Sequence, residues 1–137
     1  MNNIDVKILP SIPEKLSLSE IDITEIVTNS IIKLRPGLTD KLEIEIIFVD
    51  DDEIKKLNLE HRKIDAPTDV LSFPQEQVKE SLVNILGSIV ICLDKVYEKG
   101  EDPSDVIRHG LLHILGYDHE ENENEWDIAA KKIDCKL

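Results

Sequence analysis

Leu86-Gly-Ser-Ile-Val-Ile-Cys-Leu93 carries no charge and three β-branched residues, and it is the strongest buried-strand signal in the chain. Immediately upstream, Ala66-Pro-Thr-Asp-Val-Leu-Ser-Phe-Pro74 reads as a short extended piece. Its prolines cannot donate to a ladder, which confines it to a sheet edge. The polar run from Gln75 to Ser81 joins the two as a loop. Downstream, Asp102-Pro103 opens a helix with proline in its first turn, and that helix runs through Leu115 to stop at Gly116. A last helix spans about Asn122 to Ile133, with Trp126, Ala129, Ala130 and Ile133 on one side.

On the N-terminal side, Leu42 to Val49 is a strand whose Leu42, Ile44, Ile46 and Phe48 share a face while Glu43 and Glu45 point away. Asp50 to Asp52 then favour a helix start, continued by Ile54, Leu57 and Asn58. A capping box of Ser17 and Glu20 starts an earlier helix, with Ile23, Ile26, Val27, Ser30, Ile31 and Leu34 along one face, which Pro36-Gly37 ends. Ile4, Val6 and Ile8 alternate in a first strand that stops at Pro10. The order is strand, helix, strand, helix, strand, strand, helix, helix: an α+β protein.

At 137 residues the chain is below the ~150 per domain used as a guide, so residues 1–137 read as one domain. With 41% hydrophobic and 33% charged residues it is globular rather than disordered. No apolar run approaches the ~18 residues of a membrane span, and Met1 to Pro10 is no signal-peptide core. These features predict a cytoplasmic protein without a membrane partner. Sixteen basic and 29 acidic residues give −13, which disfavours binding nucleic acid by broad counterion release but leaves room for a local basic patch. Aromatics are too few for a stacking platform. Cys92 and Cys135 lack metal-type spacing, and Cys92 reads as a small buried hydrophobe.

Three of the four histidines fall in His109-Gly-Leu-Leu-His113-Ile-Leu-Gly116-Tyr-Asp-His119. His109 and His113 are four apart, so on a helix their rings share one face. Gly116 lets the chain reverse, and His119 can return to the same point. Positive charge near a helix end would account for one such histidine. Three at this spacing predict a three-nitrogen site with an open fourth position, the pattern of catalytic rather than structural zinc. His61 lies outside the cluster and reads as an exposed helix-end histidine.

The spacing also matches the zinc-peptidase motif His-Glu-x-x-His-x-x-Gly-x-x-His, except that Gly110 stands where the glutamate acts as general base. The only methionine is Met1, so the downstream methionine turn is missing as well. The metal scaffold is present without the peptidase chemistry.

The same eleven residues resemble the signature of the YbeY family, bacterial endoribonucleases of ribosomal RNA maturation that bind zinc. A second family block, Asn-x-x-x-Arg-x-x-Asp-x-Pro-Thr-Asp-Val-Leu-Ser-Phe-Pro, is matched from Asn58 through Arg62, Asp65 and Pro67 to Pro74. The resemblance implies a small zincin-like domain, with a mixed sheet of about four strands packed on helices and the metal at the end of a cleft. It also implies one zinc ion held by His109, His113 and His119 plus water, with Arg62 as the catalytic cleft residue. Two departures stand out: Gly87-Ser88-Ile89 replaces the usual Gly-Asp-Ile, and Glu98 to Arg108 is short.

The implied function is metal-dependent, single-strand-specific RNA cleavage near the 3′ end of small-subunit ribosomal RNA, together with ribosome quality control. The implied partners are ribosomal RNA and small-subunit ribosomal proteins, and no DNA. Arg62 suits a phosphate because its guanidinium offers a planar fork of donors. Lys55 to Lys63 is locally +3, whereas Asp118 to Asp127 holds six acidic residues and no Lys or Arg. Thr68, Asp69 and Ser72 are candidate substrate contacts, with local turn chemistry at Thr68 and Asp69 as the alternative. Asp118 either orients a histidine or caps the next turn. Two alternatives remain: a zinc-stabilised ribosome-assembly factor with little catalysis, and a metallohydrolase of another substrate.

Overall fold

A computed structural model describes residues 3–38, 41–75 and 84–137. In chain order the elements are β1 (Ile4–Leu9), α1 (Glu20–Leu34), β2 (Leu42–Val49), α2 (Asp51–Arg62), β3 (Val70–Pro74), β4 (Asn84–Cys92), α3 (Leu93–Glu98), α4 (Pro103–Ile114) and α5 (Glu123–Lys132). The sheet order is β1-β2-β4-β3. The first three neighbours run parallel and β3 runs antiparallel to β4, so the sheet is mixed with four strands.

The alternation along β2 and β4 divides the interior. Ile44, Ile46, Phe48, Ile89 and Ile91 face α1 and α4, where Ile23, Val27, Ile31, Val106, Ile107 and Leu111 complete the main core. On the other face Ile54 of α2 packs with Leu71, Val90 and Cys92. Helix α5 closes the α1–α4 side, its Trp126, Ala129 and Ala130 and the following Ile133 packing on Leu34 and Leu112. Cys92 is fully buried, as its apolar run predicts, and its thiol approaches Asp51 at 3.0 Å.

Two details differ from the sequence reading. The capping box of α1 is Ser19 with Asp22 rather than Ser17 with Glu20: Ser19 Oγ accepts from Asp22 N, and the Asp22 carboxylate accepts from Ser19 N. Both pairs have the i, i+3 spacing a box needs, and only the second lies where the backbone enters the helix. A short helix, α3, follows β4 directly and claims Leu93 from the strand; its two buried residues, Leu93 and Val96, are too few to give a helical period. Most of the loop expected from Gln75 to Ser81 lies outside the described residues, as residues 76–83 are not among them. Among the described residues, no helix is long and apolar enough to cross a membrane.

Candidate active site

Strand β3 forms one edge of the sheet, as its prolines require. Along this edge the C-terminal turn of α2 and the face of α4 enclose a cavity of about 600 Å³. Its walls include Arg62, Thr68, Asp69, Ser72, Glu101, His109, His113 and His119. All seven residues singled out in the sequence therefore face one space, although they are drawn from α2, the 63–69 connection, β3, α4 and the turn beyond it.

Each wall is held by identifiable bonds. Asp50 caps α2 by accepting from Glu53 N, and Asn58, buried on the same helix, donates from Nδ2 to the Ala66 carbonyl at 2.8 Å. This bond anchors the connection between Arg62 and Asp69. Ser72 Oγ donates to the Gly110 carbonyl at 3.2 Å, tying the edge strand to α4. A side chain at Gly110 would crowd the sheet: a Cβ would meet Ile89 Cγ2 at 2.8 Å. The position where zinc peptidases carry glutamate thus faces the sheet rather than the cavity.

The turn that returns His119 is built as expected at Gly116, whose φ of 96° is the left-handed conformation. Sequence alone did not reveal its brace. Arg35, at the end of α1, donates to the carbonyl of Leu115 and to the hydroxyl of Tyr117, both at 2.9 Å. Asp118 accepts from Glu120 N at 2.9 Å, so its carboxylate shapes this turn. Its charge also favours protonation of His113 from nearby.

His109 and His113 bring their Nε2 atoms to 3.2 Å. Two nitrogens bound tetrahedrally to one zinc at ~2.0–2.1 Å stand roughly 3.3 Å apart, so this pair fits one edge of such a site. The His119 ring lies 6.3 and 6.1 Å from the other two, centroid to centroid. Among the described residues, no three His, Cys, Asp or Glu side chains form a complete ligand set. All three rings pack around buried Trp126, at 5.0, 4.9 and 5.2 Å. Burial lowers the pKa of His109, with the neighbouring His113 adding to the effect, and burial lowers that of His113. Both rings therefore favour the neutral form that a metal requires. His109 Nδ1 is also buried and has no hydrogen-bond partner. The donor set fits zinc chemistry as a preset pair with a third imidazole close by.

A further group was not legible in the sequence. Glu101, in the α3–α4 connection, lies beside the Asp69 carboxyl group, and its Oε1 is buried without a hydrogen-bond partner. Hydrogen bonding toward Asp69, together with burial and the Asp69 charge, pushes Glu101 up to about 7. Burial alone would raise Asp69. Hydrogen bonding from Glu101, the Lys99 ammonium at 3.3 Å and the Thr68 hydroxyl outweigh it and hold Asp69 low. The pair thus holds a proton to higher pH than a free carboxyl group would, with Glu101 the group that is raised and Asp69 the one held low. No motif announces it, because the two carboxyl groups are 32 positions apart.

His61 is exposed in the last turn of α2, as expected, and in addition lines the cavity and contacts Phe73. Ser88, in place of the usual aspartate, donates to Glu45 on β2 at 2.8 Å and does not line the cavity. Thr68 and Asp69 both bond locally while facing the cavity. Among the described residues no carboxylate forms an ion pair with Arg62.

Fold and site together define a small α+β domain whose histidine-lined cleft runs beside an edge strand. Residues 13–135 match the profile of the family described as Endoribonuclease YbeY. Similar proteins of that name include one from Campylobacter jejuni, 45% identical over 99 residues, which are 66% of this chain and 72% of the relative. The Sulfurovum protein is 46% identical over 112 residues, 74% and 76% of the two chains, and that of Nautilia profundicola is 47% identical over 108, 73% and 75%. The solution structure of a Thermotoga maritima protein superposes with a TM-score of 0.52 at 24% identity, covering 96% of this chain and 87% of that one, a likeness of fold. The chain belongs to the endoribonuclease YbeY family.

Proposed function

We propose that this protein is a metal-dependent endoribonuclease that cuts single-stranded RNA near the 3′ end of small-subunit ribosomal RNA. It acts in the cytoplasm, on ribosomal RNA and among small-subunit ribosomal proteins. The observation that carries this reading is the cavity in which Arg62 faces the imidazole pair of His109 and His113 within a chain of this family. His109, His113 and His119 would hold the ion. When bound, zinc supplies Lewis-acid polarisation and eases deprotonation of a water nucleophile.

The remaining work falls to the protein's own groups. Arg62 binds a phosphodiester through two parallel N–H donors and offsets charge that develops on its oxygens. Lys55, Lys56 and Lys63 on and beside α2 attract the backbone locally despite the overall charge of −13. Glu101 holds a proton near neutral pH at the cavity wall, with Asp69 as its ionised partner, and can pass it to a leaving oxygen. Edge strand β3 and the Ser72–Gly110 bond keep the two walls in register.

The test is cleavage of a labelled single-stranded RNA by wild type, His113→Ala and Arg62→Ala, with the metal content of each measured. Activity should follow metal and disappear in His113→Ala, while Arg62→Ala keeps metal and loses cleavage. Equal activity in wild type and His113→Ala would overturn the reading.

A further inference from the structure

His61, in the last turn of α2, and Phe73, on β3, both line the cavity. Their ring centroids are 4.8 Å apart and the planes meet at 64°. Phe73 is anchored by packing on the α2-side core, while His61 is half open to solvent. Among the described residues lining the cavity, Phe73 is the one with a benzene ring, and Arg62 follows His61 directly in the chain.

Building on the endoribonuclease reading, we propose that the His61–Phe73 corner is a nucleobase subsite, taking the base next to the phosphate held by Arg62. Two rings set at an angle form an L. A flat ligand that stacks on one ring turns its edge toward the other. A nucleobase suits this shape because it combines a π-face with a hydrogen-bonding edge, and the imidazole nitrogens can meet that edge. An apolar amino-acid side chain would leave the imidazole unused. Packing on the α2-side core explains Phe73; His61 is exposed, with its Nε2 3.7 Å from the Glu60 carboxylate, so burial does not account for an imidazole set against that ring in the cavity wall.

The subsite also has a consequence for substrate choice. A base resting in the corner has left the stack of its own strand, so duplex RNA would have to open first. The chain has few aromatics, and this corner concentrates one of them where the local charge is positive. Stacking is sequence-tolerant, so the subsite selects single strands rather than a particular base.

The test measures binding of a fluorescein-labelled, 2′-O-methyl single-stranded octanucleotide to the full chain by anisotropy. A set of octanucleotides with one abasic residue moved along the strand is measured beside it. His61→Ala should weaken binding of the intact strand by about 5- to 150-fold, the range for loss of one stacked base. His61→Tyr, which keeps a ring, should restore most of it. At one position the abasic residue should weaken wild type by a similar factor and His61→Ala hardly at all. Equal losses in both proteins at every position, with the intact strand still bound, would overturn the subsite and leave the endoribonuclease reading standing. Failure of wild type to bind any strand would overturn both.

Discussion

Placing a methyl group at Gly110 tests how α4 is seated. At an exposed helical position, Gly→Ala stabilises by about 1 kcal/mol, because glycine loses more backbone entropy on folding. At Gly110 the added Cβ would lie 2.8 Å from Ile89 Cγ2, 3.1 Å from Ser72 Oγ and 3.3 Å from Ile89 Cδ1. Ile89 is completely buried in the strand between β2 and β3 and, being β-branched, has little rotamer freedom with which to move aside. The helix must therefore lift from the sheet, and overpacking of this kind costs about 1–3 kcal/mol. The net expectation for Gly110→Ala is a loss of up to about 2 kcal/mol, read as a lower urea midpoint at unchanged slope. Because His109 and His113 ride on α4 while Arg62 and Asp69 do not, RNA cleavage should fall further than stability does. A variant more stable than wild type by about 1 kcal/mol would refute the contact argument, since it would mean the helix gains its propensity with no steric cost.

Further tests address the other walls. Glu101 is raised in the folded protein, so its contribution to stability is complete below about pH 4.5 and is lost as pH rises toward about 7. The stability of wild type relative to Glu101→Gln should therefore decline across that window in urea melts; a constant difference would show that Glu101 is not raised beside Asp69. Trp126 is the only tryptophan and touches all three histidines, so zinc added to metal-free protein should change its emission and saturate near one equivalent. That response should vanish in His113→Ala, and its persistence there would place the ion elsewhere. Asn58→Ala removes the donor to the Ala66 carbonyl and should cost about 1–3 kcal/mol by urea unfolding. An unchanged midpoint would show that the connection does not depend on this bond.

Much of the fold was legible because it rests on local physics. Proline cannot serve in a central ladder, so the segment ending at Pro74 had to be an edge strand. Alternation placed Leu42, Ile44, Ile46 and Phe48 on one buried face, and all four are buried. A helical i, i+4 pair must share a face, and His109 and His113 do. Glycine takes a left-handed turn at little cost, and Gly116 does so. The short α3 was missed because a six-residue helix holds too few apolar positions to show a period.

Proximity between segments lay beyond any such argument. The chain order places His61, Phe73, Glu101 and Arg35 far apart, and no local rule says which will meet. Folding along β3 brings His61 against Phe73, lays Glu101 on Asp69, and sets Arg35 of α1 under the turn that carries His119. Even the absence of a glutamate at position 110 takes its reason from packing, since only the assembled sheet shows that Ile89 occupies the space. Sequence by itself determined the elements, the edge strand and the three-histidine pattern, because each depends on spacing within one segment. Tertiary structure decided the carboxyl pair, the aromatic corner and the brace on the turn, because these depend on distances between groups that meet only when the sheet and helices pack.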